Sequence, residues 1–258
     1  MKLKDFPYPK LNLPIGLKIL EKESEMTKFQ PIADYIHLVS DFIHTDIDIT
    51  GKNSSLMHAW VLRVISANLI RSLYIRNSFV DGVNSRNIFS MQLASKALFE
   101  IVGLLASILD LIEKNHSPDV FMRKLEPYAL GNRAKGDYKV GNIEAINVAT
   151  MVDRADKYFI KFSNEIGVDF GKNFFINFYD NASSASHPCY DSYEYIGTMK
   201  DGTWSGFSIE EFKEQLITRR YIYVGAQVSQ ACISNICKKI FAKCGDDFKG
   251  VSSAKFFD

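Results

Sequence analysis

The chain has no excess of charge of either sign. Lys and Arg together number 31 and Asp and Glu 30 among 258 residues, a formal net charge of +1. A protein that coats duplex DNA carries a basic excess, so extensive DNA binding is not expected, whereas a small local RNA site is compatible with this balance. Like charges do not run together, which excludes an acidic or basic tail. Cysteine is sparse: Cys189, Cys232, Cys237 and Cys244, with no CxxC pair. That pattern is expected of reduced thiols, not of a disulfide framework or a metal site. Met1 to Pro14 is broken by Pro7, Pro9 and Pro14 and has no apolar core of a signal peptide. The most apolar stretch, Ile101 to Ile112, is interrupted by Ser107 and Asp110. It falls short of the about 20 apolar residues that span a bilayer. The expectation is a cytoplasmic protein outside the membrane. The chain also lacks a phosphate-cradling glycine loop, GxGxxG, HExxH and a nucleophile elbow. No cofactor and no metal are expected.

What is present is core material. Apolar residues make up 47% of the chain, with 19 Phe and 12 Tyr, a composition that favours bulky packing. Residues 1–30 read as an extended, proline-punctuated arm, and residues 31–250 as one helical domain. Ile32, Tyr35, Ile36, Val39, Phe42 and Ile43 recur at helical spacing after Pro31, with Gly51 ending that segment. A helix from Ser54 or Ser55 ends at the turn signal Asp81-Gly82. A long helix from about Ser85 to Lys114 buries Phe89, Leu93, Ala97, Ile101, Leu104, Ile108 and Leu111. Ser117-Pro118 opens a short helix, and the Gly- and Lys-rich stretch 131–141 reads as a loop. Asn142 caps a helix to about Ile166, Gly167 and Gly171 bracket a turn, and a helix from Asn173 to Ser186 ends at Pro188.

Aromatic and β-branched residues from Tyr193 to Trp204 flank Asp201-Gly202, the signature of a small hairpin. Ser208 and Glu211 form a capping box opening a last helix that ends at Cys244-Gly245, followed by a polar, frayed tail. The fold expected is an all-α antiparallel bundle of five to six long helices with a β-hairpin inserted near 193–204.

Two features carry chemistry. The polar segment from Tyr179 to Pro188 ends in a histidine held at a helix end by proline. On a helix Tyr179, Ser183 and Ser186 share one side, Asp180, Ser184 and His187 another, with Asn181 between. Such a histidine, with hydroxyls one turn away, serves proton transfer or simply ends a helix. The second feature is a set of ionisable residues on apolar helices: Glu100 with Lys96 at i−4, then Arg63, Arg71 and Arg76, then Asp153, Arg154 and Asp156. These read either as interhelical ion pairs or as a site for an anionic ligand. His37 and His44, seven apart on one helix face, read as packing or surface residues.

The stretch Leu93-Ala-Ser-Lys-Ala-Leu-Phe-Glu100, the later Asn147-Val-Ala-Thr-Met-Val-Asp-Arg-Ala-Asp156 and the spacing Tyr179, Ser183, His187, Pro188 resemble bacterial and phage helical proteins of the HEPN-like type, over roughly residues 54–200. The resemblance implies a helical bundle that dimerises or docks a partner protein. It implies RNA as substrate, in a phage-defence or toxin–antitoxin setting, and metal-independent endoribonuclease chemistry. His187 matches the family histidine. Asn181 stands where the family places arginine six residues earlier, and no arginine lies between Arg154 and Arg219. The site set implied is therefore His187, Asn181 and Ser183 for catalysis, with Arg71, Glu100, Arg154 and Tyr179 for binding. The alternatives are a non-enzymatic interaction subunit and a small-molecule or nucleotide sensor.

Overall fold

The computed structural model describes residues 30–51, 54–131, 143–186 and 197–257. The expected arm, most of the 131–141 loop, the Asn142 cap, and His187, Pro188, Cys189, Tyr193 and Tyr195 lie outside the described residues. Among the described residues, seven helices of ten residues or more are α1 Ser54–Ser85, α2 Ile88–Glu113, α3 Pro118–Ala129, α4 Val148–Glu165, α5 Phe174–Ser186, α6 Ile209–Thr218 and α7 Tyr221–Lys249. The short strands among the described residues are β1 His44–Ile47, β2 Gly197–Lys200, β3 Thr203–Gly206 and β4 Ser252–Lys255. The expected all-α bundle with a small hairpin is what the chain forms. No helix among the described residues is long and apolar enough to cross a membrane.

Helix α2 is the axis of the bundle. It buries Met91, Leu98, Ile101, Val102, Leu105, Ile108 and Leu109 on several sides, and a helix apolar all round has to be surrounded. Leu93, expected in the buried stripe, is 37% exposed, because the neighbours of α2 pack on its other sides. Helix α1 returns antiparallel to α2, its Gly82 meeting Met91. Helix α7 lies along α2 in the same sense. Ser95 Oγ donates to the Ile222 carbonyl at 2.8 Å at one end, and Leu111 and Cys244 line one cavity at the other. Helix α4 crosses α2 at Gly103, where an added Cβ would overlap the Met151 carbonyl. The phenylalanines gather where α2, α4 and α5 meet: Phe99, Phe159, Phe174, Phe175 and Phe178 form a run of edge-to-face and tilted contacts.

Several boundaries differ from expectation. Helix α1 runs through Asp81-Gly82 to Ser85, and the chain reverses at Arg86, whose φ is 58°. Gly82 serves close packing, since a Cβ there would sit 2.8 Å from Met91 Cγ. Helix α4 begins at Val148, where the Asn147 side chain accepts from Ala149 N–H. The segment after Pro31 makes only short turns, Gln30–Ala33, Ile36–Val39 and Ser40–Phe42, before β1. His37 and His44 therefore do not share a helix: His44 is in β1, its Nδ1 3.2 Å from Ser252 Oγ. Arg76, fully buried, fastens these turns by donating to the carbonyls of Ile32 and Ala33 and to Asn77 Oδ1. The capping box at Ser208 and Glu211 forms as expected, but the helix it opens stops at Thr218 and α7 starts anew at Tyr221.

The tail is not frayed. Helix α7 continues to Lys249, and β4 pairs antiparallel with β1, His44 opposite Lys255 and Ile47 opposite Ser252. The anchors are apolar: Val251 is buried, and Phe256 donates its amide to the Ile43 carbonyl. The other ladder, β2 with β3, turns on Asp201 and Gly202 with φ of 50° and 75°, the left-handed pair that a tight hairpin requires.

Candidate functional site

Three polar residues of α2, Gln92, Lys96 and Glu100, stand in a row at i, i+4 and i+8. That spacing keeps them on neighbouring turns of one side of the helix. Helix α5 lies antiparallel along this side, with Phe175 against Phe99 at 5.2 Å and Tyr179 beneath the Lys96 ammonium, 5.0 Å from the ring centroid. Continued one turn, the register sets Ser183, half-buried, level with Gln92, and Asn181 is exposed on the same helix.

On the far side of Glu100 lies a cavity of about 250 Å³ between α1, α2, α3 and the start of α4. Arg71 and Glu100 both line it, together with Leu104, Pro127, Tyr128 and Met151. Glu100 is half-buried and Arg71 exposed, and among the described residues neither has an ion-pair partner. The pairing expected of Lys96 with Glu100 is not made; Lys96 covers Tyr179. Arg71, Glu100, Lys96 and Tyr179 thus follow one another along a single face, an arrangement suited to an anionic group flanked by an apolar or aromatic body.

Arg154 belongs elsewhere. Its Nη1 lies 3.1 Å from Asp110 Oδ2, an oxygen that Lys114 also reaches at 2.7 Å. Asp110 is fourteen residues beyond Lys96 on α2, roughly 21 Å along the helix at 1.5 Å per residue, so Arg154 does not join the Tyr179 end. Against a desolvation that would raise it, the hydrogen bonds and charges of Lys114 and Arg154 hold the Asp110 carboxyl below its usual range. Asp156 is also structural. Buried, it accepts from the amides of Asn173 and Phe175 and so caps the start of α5.

Gln92 is the residue that sequence reading overlooked. It is 1% exposed, and among the described residues neither its Oε1 nor its Nε2 has a hydrogen-bond partner, in a position where a buried amide is normally satisfied. The signal available was its four-residue spacing from Lys96. Among the described residues the thiols of Cys232, Cys237 and Cys244 are free and buried, and burial pushes the Cys232 and Cys237 thiols up, away from thiolate. Among the described residues no three of His, Cys, Asp and Glu gather closely enough to hold a metal ion. In comparisons with known proteins, no family model, no curated protein and no solved structure matches the chain.

Proposed function

We propose that the chain is a HEPN-like helical protein that binds RNA, and cleaves it without a metal, along the face of α2 that carries Lys96 and Glu100. The observation that carries this reading is the meeting of Lys96 with Tyr179. It sets a cation beside the helix bearing Asn181 and Ser183, the cation that the sequence lacks as an arginine before His187. In this reading His187 takes the ribose 2′-hydroxyl proton as base, or protonates the leaving 5′-oxygen as acid. Lys96 and Asn181 offset charge on the phosphoryl oxygens, and Tyr179 offers a ring for a base. Two copies in a homodimer would pool their His187 residues in one cleft.

The test is cleavage of single-stranded RNA in EDTA by wild type, His187→Ala and Lys96→Met. Cleavage by wild type alone is expected, with weakened RNA binding in Lys96→Met. Absence of both cleavage and binding in wild type refutes the proposal. Unchanged cleavage in His187→Ala refutes the role given to that residue.

A second reading is favoured by the cavity at Glu100: a nucleotide or small-molecule sensor, its ligand's anionic group on Arg71 and a donor group on Glu100. It predicts excess absorbance at 260 nm in the purified protein, lost in Arg71→Met. The interaction-subunit alternative rests on the hairpin, where Met199 and Trp204 are cross-strand partners 64% and 50% exposed. It predicts a co-purifying protein that Trp204→Ser releases.

A further inference from the structure

The cavity of about 250 Å³ beside Glu100 carries one charge of each sign. Arg71 enters it from α1 and Glu100 from α2, and its other lining residues are uncharged. The two line the same space without meeting each other, and among the described residues neither has another ion-pair partner. Ile101, Leu104, Pro127 and Met151 give it apolar walls.

This balance selects the ligand. A simple anion is drawn to Arg71 but repelled by Glu100, and a simple cation meets the reverse. A molecule with both signs makes a charge-assisted hydrogen bond at each end. Size narrows the choice further. The volume lies below the ~300–1,000 Å³ typical of ligand pockets, which is too little for a base, a sugar and a phosphate together. The walls are also braced by backbone contacts. An added Cβ at Gly131 would overlap the Ala145 backbone, and one at Gly103 would overlap that of Met151. Ala145 and Met151 both line the cavity, so it is largely formed before a ligand arrives.

We infer that the cavity takes a small zwitterion, an α-amino acid with an apolar side chain. Its carboxylate lies on the Arg71 guanidinium, its ammonium on the Glu100 carboxylate and its side chain against Ile101, Leu104 and Met151. This rests on the sensor reading of the cavity and removes the nucleotide from it.

The test uses the full chain and four probes. They are L-leucine, 4-methylpentanoate (leucine without its ammonium), 3-methylbutylamine (leucine without its carboxylate) and adenosine monophosphate. Isothermal titration and thermal shift are expected to show leucine binding and stabilising the protein. Each one-charge analogue binds about tenfold or more weakly, the scale of a lost charge-assisted contact. Arg71→Met and Glu100→Gln each lower leucine affinity by a similar factor. In Glu100→Gln leucine loses its advantage over 4-methylpentanoate, and in Arg71→Met its advantage over 3-methylbutylamine. Arg63→Met, about two turns away on α1, leaves leucine affinity unchanged. No leucine binding at millimolar concentration, an analogue that binds wild type as well as leucine does, or leucine affinity unaltered in both cavity variants overturns the inference. Adenosine monophosphate binding that Arg71→Met abolishes, with no leucine binding, overturns the inference and leaves the sensor reading standing.

Discussion

Replacing Gln92 with leucine should make the protein more stable. The side chain is 1% exposed, and both polar atoms of its amide lack partners among the described residues. A buried donor or acceptor left unmade costs about 1–3 kcal/mol, whereas an apolar group of similar shape carries no such cost. Leucine is close to glutamine in size and prefers the helix at least as well. Allowing for imperfect packing of the branched chain, the expected gain is roughly 1–2 kcal/mol, or about 2–8 °C in Tm for a chain of this length. Urea unfolding should show a higher midpoint with an unchanged slope, because the surface exposed on unfolding is the same. A loss of 1 kcal/mol or more in Gln92→Leu would refute the reasoning, since it would mean that the amide has a partner such as an ordered water.

Three other perturbations follow from the packing. Gly103→Ala should destabilise by at least about 2 kcal/mol in urea, because the added methyl meets the backbone carbonyl of Met151, which cannot turn aside as a side chain could. Arg76→Met should release the turns before β1, leaving the Ile32 and Ala33 carbonyls without their donor; limited proteolysis should cut before residue 44 well ahead of global unfolding. Acid should loosen the hairpin. The hydrogen bond from Lys200, with the Ser208 amide, lowers the Glu211 carboxyl to about 2 from its ordinary 4.5. That contribution is complete above the ordinary value and is lost as pH falls from there toward about 2. Trp204 fluorescence in a Trp60→Phe background should report the change, and Glu211→Gln should abolish its pH dependence.

Helix existence and type were legible from apolar periodicity, and the boundaries that failed did so for tertiary reasons. Asp81-Gly82 carries a turn signal, yet Gly82 is there to admit Met91. The break between Thr218 and Tyr221 has neither glycine nor proline to announce it. The tail looked polar because its anchors, Val251, Phe256 and Phe257, are spread among serines and lysines. The candidate face was legible in pieces. Arg71, Glu100 and Tyr179 do fall on one face, but the meeting of Lys96 with Tyr179 depends on a helix register between residues more than eighty apart in sequence, which no local pattern encodes. Arg154 was drawn away by Asp110, a partner on another helix that spacing could not reveal. Gln92 escaped notice because glutamine on an apolar helix looks like a surface residue until its burial is seen.

The pairing of β1 with β4 has a mechanical consequence. The chain enters this ladder at His44 and leaves it at Lys255, and those two residues face each other. Tension applied at residues 43 and 256, on either side of that pair, therefore loads the ladder at one end. Its hydrogen bonds open one pair after another, like a zipper, and never share the load as they would in shear. Pulled through residues 43 and 256, the protein should first pay out this strap at low force, and the helices around α2 should hold until a second, higher peak.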